Sequence, residues 1–369
     1  MITRTTKIII AVICVSLLVL VPGCGRQSPE EVQLYDYESE FDIYQYDCRA
    51  NGEYVEPEAY EEYAPIQDNQ GIHGLISVVE YGGNRAYILG SIHIGCYSWY
   101  PLSPAVEAAI DRADIFAFEI DLAAEGGPCI REDDPCEGDC MCALLDMIFL
   151  RDEETLEDFL PADVFKMFME NLRTYPINID AIANLRPTTI VELIMYEIVA
   201  PSLGLSSEHS IDIYVFNRAE AMGRPTIGLT DFNDHIAFVT GMPDEYQIAT
   251  ARYFADFETM MDEIDELAYI YKTQDIETLT QMVRADLAEA YEAYTAGEIS
   301  AAGLALARYW HYTVGNYRSA FFARQIAALL RETEEPTVFF VTVGIAHLTR
   351  EVNVFYMLRE MGFEVIGLY

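Results

Sequence analysis

The sequence predicts an α/β fold, in which strand–helix units at the two ends of the chain build a central sheet and a large middle region is mostly helical. Three observations lead to this prediction. A strand–helix–strand succession fills residues 75–122, an apolar strand and a helix close the chain after residue 337, and the stretch between them carries helical periodicity. The succession favours a parallel pair of strands, because parallel strands need a long crossover between them.

The N-terminal unit opens with a predicted β-hairpin. Leu75–Tyr81 and Arg85–Leu89 are its apolar strands, and the sequence between them is a glycine-rich turn. Pro101–Ala113 is predicted to be a helix, with Ser103 as its N-cap ahead of a proline. Asp114–Leu122 is the strand that follows.

Helices are predicted through most of the middle region, where prolines and glycines mark their ends. They are expected in residues 144–203, 210–222 and 244–331, and a short strand is expected at Thr226–Leu229. Breaks in the first stretch are expected near three prolines, Pro161, Pro176 and Pro187.

The C-terminal unit repeats the α/β pattern of the first. Thr337–Val343 is a strongly apolar strand, His347–Met361 is predicted to be helical, and Glu364–Leu368 is predicted to be a closing strand. The two ends of the chain are therefore expected to supply the sheet.

Residues 1–23 are predicted to be a signal peptide. Arg4 and Lys7 precede the apolar run Ile8–Val21, which is shorter than the about 20 residues that favour a membrane-spanning helix. Val21-Pro22-Gly23-Cys24 resembles a bacterial lipobox, in which the cysteine becomes the lipidated first residue of the mature protein. Cys24 is therefore the expected lipid attachment site, with the protein anchored in the cell envelope and facing the extracytoplasmic side. Ordinary secretion is the alternative.

Residues 24–70 are predicted to form a spacer between the lipid anchor and a folded domain at 71–369. The segment is rich in acidic residues and tyrosine, and Arg49 is its only base after residue 28. Such a segment buries too little apolar surface to offset the entropy lost on ordering.

The charge balance restricts the possible partners. Acidic residues outnumber Lys and Arg by 61 to 22, and the formal net charge is −39. Nucleic acid and anionic lipid surfaces would be repelled, so neither is an expected partner.

Six cysteines remain outside the leader and the expected anchor, an even number that allows three disulfides in an oxidising compartment. They are Cys48, Cys96, Cys129, Cys136, Cys140 and Cys142. The last four lie in an irregular insertion at about 123–142 and are expected to be oxidised. Zinc binding is the alternative, but the spacing lacks paired Cys-x2-Cys units.

One motif occurs twice in the sequence. An apolar strand ends in Gly-x-x-His, first at Gly90–His93 and again at Gly344–His347. The carboxyl ends of strands in an α/β sheet form the crevice where ligands bind, and glycine permits the tight turn. Glu119 and Asp121 lie toward the end of a third strand. Two histidines and a carboxylate leave positions open on a divalent metal, so a buried acid beside the two histidines suggests a metal site. The alternative for each histidine taken alone is a hydrogen-bonded core residue.

These motifs resemble those of the TraB/GumN family, which is related to the Tiki proteases. Ile88-Leu89-Gly90-Ser91-Ile92-His93-Ile94-Gly95 is similar to the family's opening, and Val343-Gly344-Ile345-Ala346-His347-Leu348 is similar to its closing signature. The resemblance covers about Leu75 to Tyr369. It implies paired Gly-x-x-His loops around a shared site in which His93, Glu119 and His347 are the metal ligands. Metal-dependent peptide hydrolysis is attributed to the Tiki branch. Arg318 falls where the family has an Arg-Asn pair ahead of a helix.

The chain departs from the family pattern around this site. Thr230 stands where an acid is usual, Ser319 replaces the Asn beside Arg318, and Ser210 replaces a Gly. Arg318 is expected to orient a carbonyl or carboxylate as a catalytic residue, and its alternative is an ion pair with a core acid such as Asp212.

The function expected from the sequence is an extracytoplasmic, membrane-anchored, metal-dependent hydrolase that acts on peptide or protein substrates. The ion is a divalent transition metal, with Mn, Co and Zn all open, and Glu119 is either its ligand or the general base. The first alternative is a non-catalytic envelope protein that binds or sequesters a peptide signal or a metal-containing cofactor. The second is a structural envelope protein.

Overall fold

A computed structural model describes residues 74–120, 148–151, 154–230, 244–281, 294–297, 304, 307–308, 315–350 and 352–367. In these ranges the chain has the predicted α/β fold. None of the helices described is both long enough and apolar enough to cross a membrane. The predicted signal peptide, Cys24, the spacer, Asp121 and the cysteine-rich insertion all lie outside the described residues.

The regular elements of these ranges are numbered along the chain. The strands are β1 Ile76–Tyr81, β2 Asn84–Ser91, β3 Ile115–Ile120, β4 Thr226–Thr230, β5 Val338–Gly344 and β6 Val365–Gly367. The helices are α1 Pro104–Arg112, α2 Leu156–Phe159, α3 Ala162–Leu172, α4 Pro187–Ile194, α5 Ala200–Ser202, α6 Ile211–Met222, α7 Asp244–Tyr253, α8 Phe257–Thr273, α9 Arg318–Glu332, α10 Ala346–Thr349 and α11 Val354–Glu360. Short 3-10 turns occur at Tyr97–Trp99, Ile179–Ala181 and Ser207–His209, and a π-helical turn at Met195–Val199.

The described residues divide into two compact units. The sheet unit contains residues 74–120, 199–230 and those described from residue 258 onward. The helical unit contains those described within 148–198 and 244–257.

All six strands form one mixed sheet in the order β4-β3-β5-β2-β1-β6. β2 and β3 both run parallel to β5, as does β4 to β3, whereas β1 pairs antiparallel with β2 and β6. The predicted parallel relation of β2 and β3 is therefore confirmed, but β5 lies between them. The continuous apolar sequence of β5 suits this central place, because a strand inside a parallel sheet is buried on both faces.

Most predicted boundaries are close to those observed. The hairpin turns at Gly82 and Gly83, both at positive φ, as a tight two-residue turn requires. Ser210 caps α6 by accepting a hydrogen bond from Ile213 N, and Gly223 ends it in the left-handed conformation.

The predicted helix His347–Met361 is instead two helices, α10 and α11. Arg350 has an extended backbone with ψ of 164°, and Asn353 begins a new helix by accepting a hydrogen bond from Tyr356 N. The extended residue and the asparagine cap interrupt the helical hydrogen bonds, so the apolar residues on either side belong to separate helices.

Two helices that carry site residues lie on opposite faces of the sheet. Phe118 contacts the ring of Phe216 in α6, whereas its neighbour Glu119 bonds to Arg318 in α9. Successive residues of a strand point to opposite faces, so α6 and α9 cover different sides. Asp212 of α6 contacts His93 and Arg318 of α9 contacts Glu119, so each helix supports a residue near the carboxyl ends of the strands.

The helical unit has its own apolar centre. α7 packs against α3 and α4, and the Gln247 side chain accepts hydrogen bonds from both the backbone N and the Oγ1 of Thr188. Pro161 is the N-cap of α3 and Pro187 the first residue of α4, as expected from the sequence. The aromatic rings of this centre are those of Phe168, Tyr175, Phe254 and Phe257.

Candidate functional site

The two Gly-x-x-His loops leave the sheet side by side. β2 and β5 are neighbours with Ser91 opposite Gly344, and Ile345 N donates to Ser91 O at 2.8 Å. A Cβ placed on Gly344 would lie 3.1 Å from Glu119 Oε1 and 3.9 Å from His93 Nε2, and 3.6 Å from the ring of His347. The structure thus brings His93, Glu119 and His347 together around the space that the missing side chain of Gly344 leaves open.

Glu119 is held from two sides. Its Oε2 accepts a hydrogen bond from Arg318 Nη2 at 2.9 Å, and its Oε1 accepts one from Gly344 N at 2.6 Å. Burial would raise the pKa of Glu119, but the Arg318 charge, the two histidines and the Gly344 amide lower this pKa to about 2. The carboxylate is therefore ionised near neutral pH. The sequence left open an ion pair between Arg318 and a core acid such as Asp212; Arg318 does pair with a largely buried acid, and that acid is Glu119.

His93 is anchored by Asp212 on α6. Its Nδ1 lies 3.0 Å from Asp212 Oδ2, and Ser91 Oγ donates to the other carboxylate oxygen at 2.8 Å. Desolvation lowers the pKa of His93, but the charge of Asp212 and its hydrogen bond outweigh this effect and raise the pKa to about 9. Near neutral pH the ring is an imidazolium, and 51% of its side chain is exposed.

His347 has the opposite environment. Its side chain is only 9% exposed, it packs edge-on against Phe322, and its Nδ1 lies 3.0 Å from Ser319 Oγ. Burial and the positive charges of Arg318 and Arg350 outweigh the attraction of Glu119 and lower the pKa of His347 to about 4. The ring is therefore neutral near pH 7, with Nε2 3.8 Å from Glu119 Oε1.

The loop after His93 is fixed by contacts within the sheet unit. Gly95 exchanges two backbone hydrogen bonds with Ser206, Tyr100 Oη donates to His209 O, and Tyr271 Oη donates to Gly90 O. A Cβ on Gly95 would overlap His209 O, so the two segments approach as closely as glycine allows. These contacts hold the backbone that carries His93.

Cys96 lies in the same loop as a free thiol, with Sγ 3.3 Å from Ser98 Oγ. The other five candidate cysteines lie outside the described residues, so the oxidation of the insertion cysteines stays a prediction.

Three residues of this site were not predicted as site residues: Ser91, Asp212 and Ser319. Ser91 lies inside the first Gly-x-x-His motif and Ser319 follows Arg318, so their positions pointed to the site. Asp212 is 119 residues from His93, and nothing in the local sequence of α6 indicates which histidine it contacts.

The described residues contain no group of three or more His, Cys, Asp or Glu side chains that is placed to hold a metal ion. The donor types predicted from the sequence are present, but Glu119 is already paired with Arg318. As they stand, these side chains form a hydrogen-bonded cluster in which His93 and Arg318 are positive and Glu119 and Asp212 accept.

Comparison with known proteins adds a family and two relatives. The model of the TraB/PrgY/gumN family matches residues 75–366. The chain is also similar to the proteins named "Uncharacterized protein YbaP" of Shigella flexneri and Escherichia coli (strain K12), each 22% identical over 183 residues. These matches cover 50% of this chain and 62% of each relative, so the chain spans less than two thirds of their length. No solved structure matches the chain.

The family match contains both Gly-x-x-His loops, the Glu119 strand, the Asp212 helix and the Arg318 helix, which are the elements that build the site. It also covers most of the chain. The chain therefore belongs to the TraB/PrgY/gumN family.

Proposed function

We propose that this chain is a metal-dependent hydrolase of the cell envelope that acts on peptides. The observation that carries the proposal is the pair of donors His347 Nε2 and Glu119 Oε1. They lie 3.8 Å apart, which is too far for a hydrogen bond but close enough for both to bind one ion at the usual distances of about 2.0–2.2 Å. His93 Nε2 faces the same space beside Gly344.

The surroundings of the two histidines support this role. Metal-binding histidines usually bond through their second ring nitrogen to a carboxylate, a carbonyl or a water, which orients the free nitrogen toward the ion. Here Asp212 binds Nδ1 of His93 and Ser319 binds Nδ1 of His347, so both rings present Nε2 to the same space.

Three observations weigh against a preformed ion site. Arg318 already forms an ion pair with Glu119. Within the described part of the chain, no three His, Cys, Asp or Glu side chains are spaced to hold a metal ion. His93 also carries a proton at neutral pH, and a metal would have to displace that proton. The chemical types of the donors fit a divalent transition metal such as Mn, Co or Zn, whereas their present spacing does not surround one.

When bound, such an ion supplies a Lewis acid that polarises a carbonyl and lowers the pKa of water. His93, His347 and Glu119 would hold it. Glu119 is a poor general base because its pKa is about 2 and both of its oxygens already accept hydrogen bonds, so we assign it the role of ligand. Arg318 fixes that carboxylate through the hydrogen bond that its Nη2 donates to Glu119 Oε2.

The proposal is tested first by metal content. Purified wild-type protein, supplied with Mn, Co or Zn and then dialysed, should retain one of them, and His93→Ala and His347→Ala should each lose most of it. His209→Ala is the control, because the ring nitrogen of His209 bonds to Ser206 and not to the site. A wild-type protein that takes up no ion, or folded histidine variants with full metal content, would contradict the proposal.

The reaction is then tested with a peptide library. The metal-loaded wild type should cleave peptides, and His93→Ala, His347→Ala and the double variant should all be inactive to a similar degree, because residues that act as a unit are not additive.

A non-catalytic binding protein is the second candidate function, and the ion pair between Arg318 and Glu119 favours it. This pair neutralises the carboxylate that a hydrolase would use. Metal uptake without cleavage of any peptide would support this candidate instead, with the crevice sequestering a peptide signal or a metal-containing cofactor.

We also propose that Cys24 anchors the protein in a membrane by a lipid, with the folded part on the extracytoplasmic side. The support is the leader sequence that ends in Val21-Pro22-Gly23-Cys24. Cys24→Ala should move the protein from the membrane fraction to the soluble fraction. If this variant is still lipidated and fractionates like the wild type, the anchor lies elsewhere.

A further inference from the structure

We infer that Ser319 is a positioning residue that fixes His347 in the tautomer with its proton on Nδ1, and so leaves the lone pair of Nε2 directed at Glu119. As a statement about metal binding this inference rests on the proposed function. As a statement about the tautomer it rests on hydrogen bonds alone.

The direction of each hydrogen bond follows from the single proton of the Ser319 hydroxyl. Ser319 Oγ lies 2.7 Å from Gly315 O, one turn earlier, and a backbone carbonyl can only accept. The hydroxyl proton is therefore used in that bond. Ser319 is completely buried, so no bulk water is available to exchange with either partner. At 3.0 Å from His347 Nδ1, the same oxygen must accept, and Nδ1 must carry the proton.

The other tautomer would lose the hydrogen bond at Nδ1 and gain none at Nε2. With its proton on Nε2, His347 would direct an unprotonated Nδ1 at an oxygen whose proton is already engaged. The Nε2 proton would face Glu119 Oε1 at 3.8 Å, which is too long for a hydrogen bond. The ring nitrogen that carries the proton is set by the partner of the other nitrogen, and here that partner is Ser319.

This role explains a departure noted in the sequence, where Ser319 replaces the Asn usual beside the arginine. An asparagine carbonyl and a serine hydroxyl can both accept a proton from an imidazole. The substitution therefore keeps the acceptor that His347 needs. A neutral acceptor also orients the ring without adding the negative charge that Asp212 brings to His93.

The test is the tautomer of His347, read by long-range proton–nitrogen NMR on the full mature chain with labelled histidine, near pH 7 and without added metal. Protonated and unprotonated ring nitrogens resonate far apart, and the His347 signals are identified by their absence from His347→Gln. The wild type should show a protonated Nδ1 and an unprotonated Nε2. Ser319→Ala should shift the proton toward Nε2, whereas Ser319→Thr, which keeps the hydroxyl, should retain the wild-type pattern.

Ser91→Ala is the matched control, because its hydroxyl bonds to the carboxylate beside His93 and should leave the His347 pattern unchanged. Circular dichroism checks that each variant is folded. A protonated Nε2 in the wild type, or an unchanged pattern in folded Ser319→Ala, would overturn the inference.

A second readout links the tautomer to the proposed function. In a zinc titration, Ser319→Ala should bind about 10- to 100-fold more weakly than the wild type, and Ser319→Thr should bind nearly as well. If the wild type binds no zinc but shows the Nδ1 tautomer and its dependence on Ser319, the proposed function fails and the positioning role stands. If zinc binds but the tautomer is the other one, the positioning role fails and the metal site stands.

Discussion

The two Gly-x-x-His loops have the same local design and opposite electrostatics. Both loops follow buried strands of one sheet, and in both the histidine Nδ1 has a side-chain partner. His93, however, is 51% exposed with a pKa of about 9, whereas His347 is 9% exposed with a pKa of about 4. The difference comes from the surroundings, because the charge and hydrogen bond of Asp212 raise the pKa of His93, whereas burial and the charges of Arg318 and Arg350 lower the pKa of His347.

The Gly-x-x-His motif therefore sets the position of each histidine, and the residues that surround the ring in the tertiary structure set its charge. α6 supplies Asp212 on one face of the sheet and α9 supplies Ser319 and Arg318 on the other. The site therefore contains a charged and a neutral imidazole close to the ionised Glu119.

The largest effect is expected from Glu119→Gln, which removes the carboxylate that pairs with Arg318. Arg318 would lose its ionic partner while only 15% exposed, and breaking a buried pair in this way costs about 3 kcal/mol or more. The free energy of unfolding, measured in denaturant, should fall by that amount. Glu80→Gln is the matched control, since its partner Arg85 is 42% exposed and surface pairs contribute about 1 kcal/mol or less. Equal losses in the two variants would show that Glu119 and Arg318 do not form a buried pair.

The pH dependence of stability should separate the two histidines. The pKa of His347 falls from 6.5 to about 4 on folding, so the unfolded chain binds a proton first as pH drops. The stability from this group is present above pH 6.5 and lost between about pH 6.5 and 4, a change of about 3 kcal/mol. In His347→Gln, the free energy of unfolding should therefore fall less between pH 6.5 and 4 than in the wild type, as measured by denaturation curves across pH.

His93 should act on the alkaline side. Its pKa rises from 6.5 to about 9 on folding, so its contribution is complete below pH 6.5 and is lost as pH rises toward 9. The effect should be the smaller of the two, because the exposed half of the ring is screened by solvent. If the wild type and His347→Gln lose the same stability between pH 6.5 and 4, His347 is not neutral in the folded protein.

The glycines of the two motifs should respond differently to alanine. A Cβ on Gly90 would lie 3.0 Å from Ile345 Cγ1 and 3.1 Å from Leu348 Cδ1, inside the core, so Gly90→Ala should cost about 1–3 kcal/mol through overpacking. Gly344→Ala should cost less, because its methyl group enters the space between Glu119 and the histidines. It should instead abolish metal uptake. Metal uptake by folded Gly344→Ala would show that this space is not the binding site.

The smallest effect on stability is expected from Asp212→Asn, which tests the charged side of the comparison. The pKa of His93 should fall from about 9 toward its ordinary value of 6.5, because the amide keeps an acceptor but loses the charge. A proton NMR titration of the His93 ring measures it, and the pKa of His347 serves as the internal reference. A His93 pKa that stays near 9 would mean that another group raises it.

Much of the fold was predictable because its signals are local. The glycine turn after Tyr81, the Ser210 cap and Gly223 stop of α6, and the two Gly-x-x-His loops all depend on residues within a few positions of one another. The same is true of the apolar strand that became β5. The break at Arg350 between α10 and α11 was missed, since helical periodicity continues on both sides of it.

The sequence by itself determined that two histidines and Glu119 stand at the ends of buried strands, because strand length and glycine position are set locally. Only the tertiary structure decided that β5 lies between β2 and β3, that Arg318 pairs with Glu119, and that Asp212 and Ser319 hold different histidines. The side-chain pairs among these join residues up to 199 positions apart. They depend on how helices pack on the two faces of the sheet. The same packing sets the burial of each side chain and the charges near it, and these determine its protonation state.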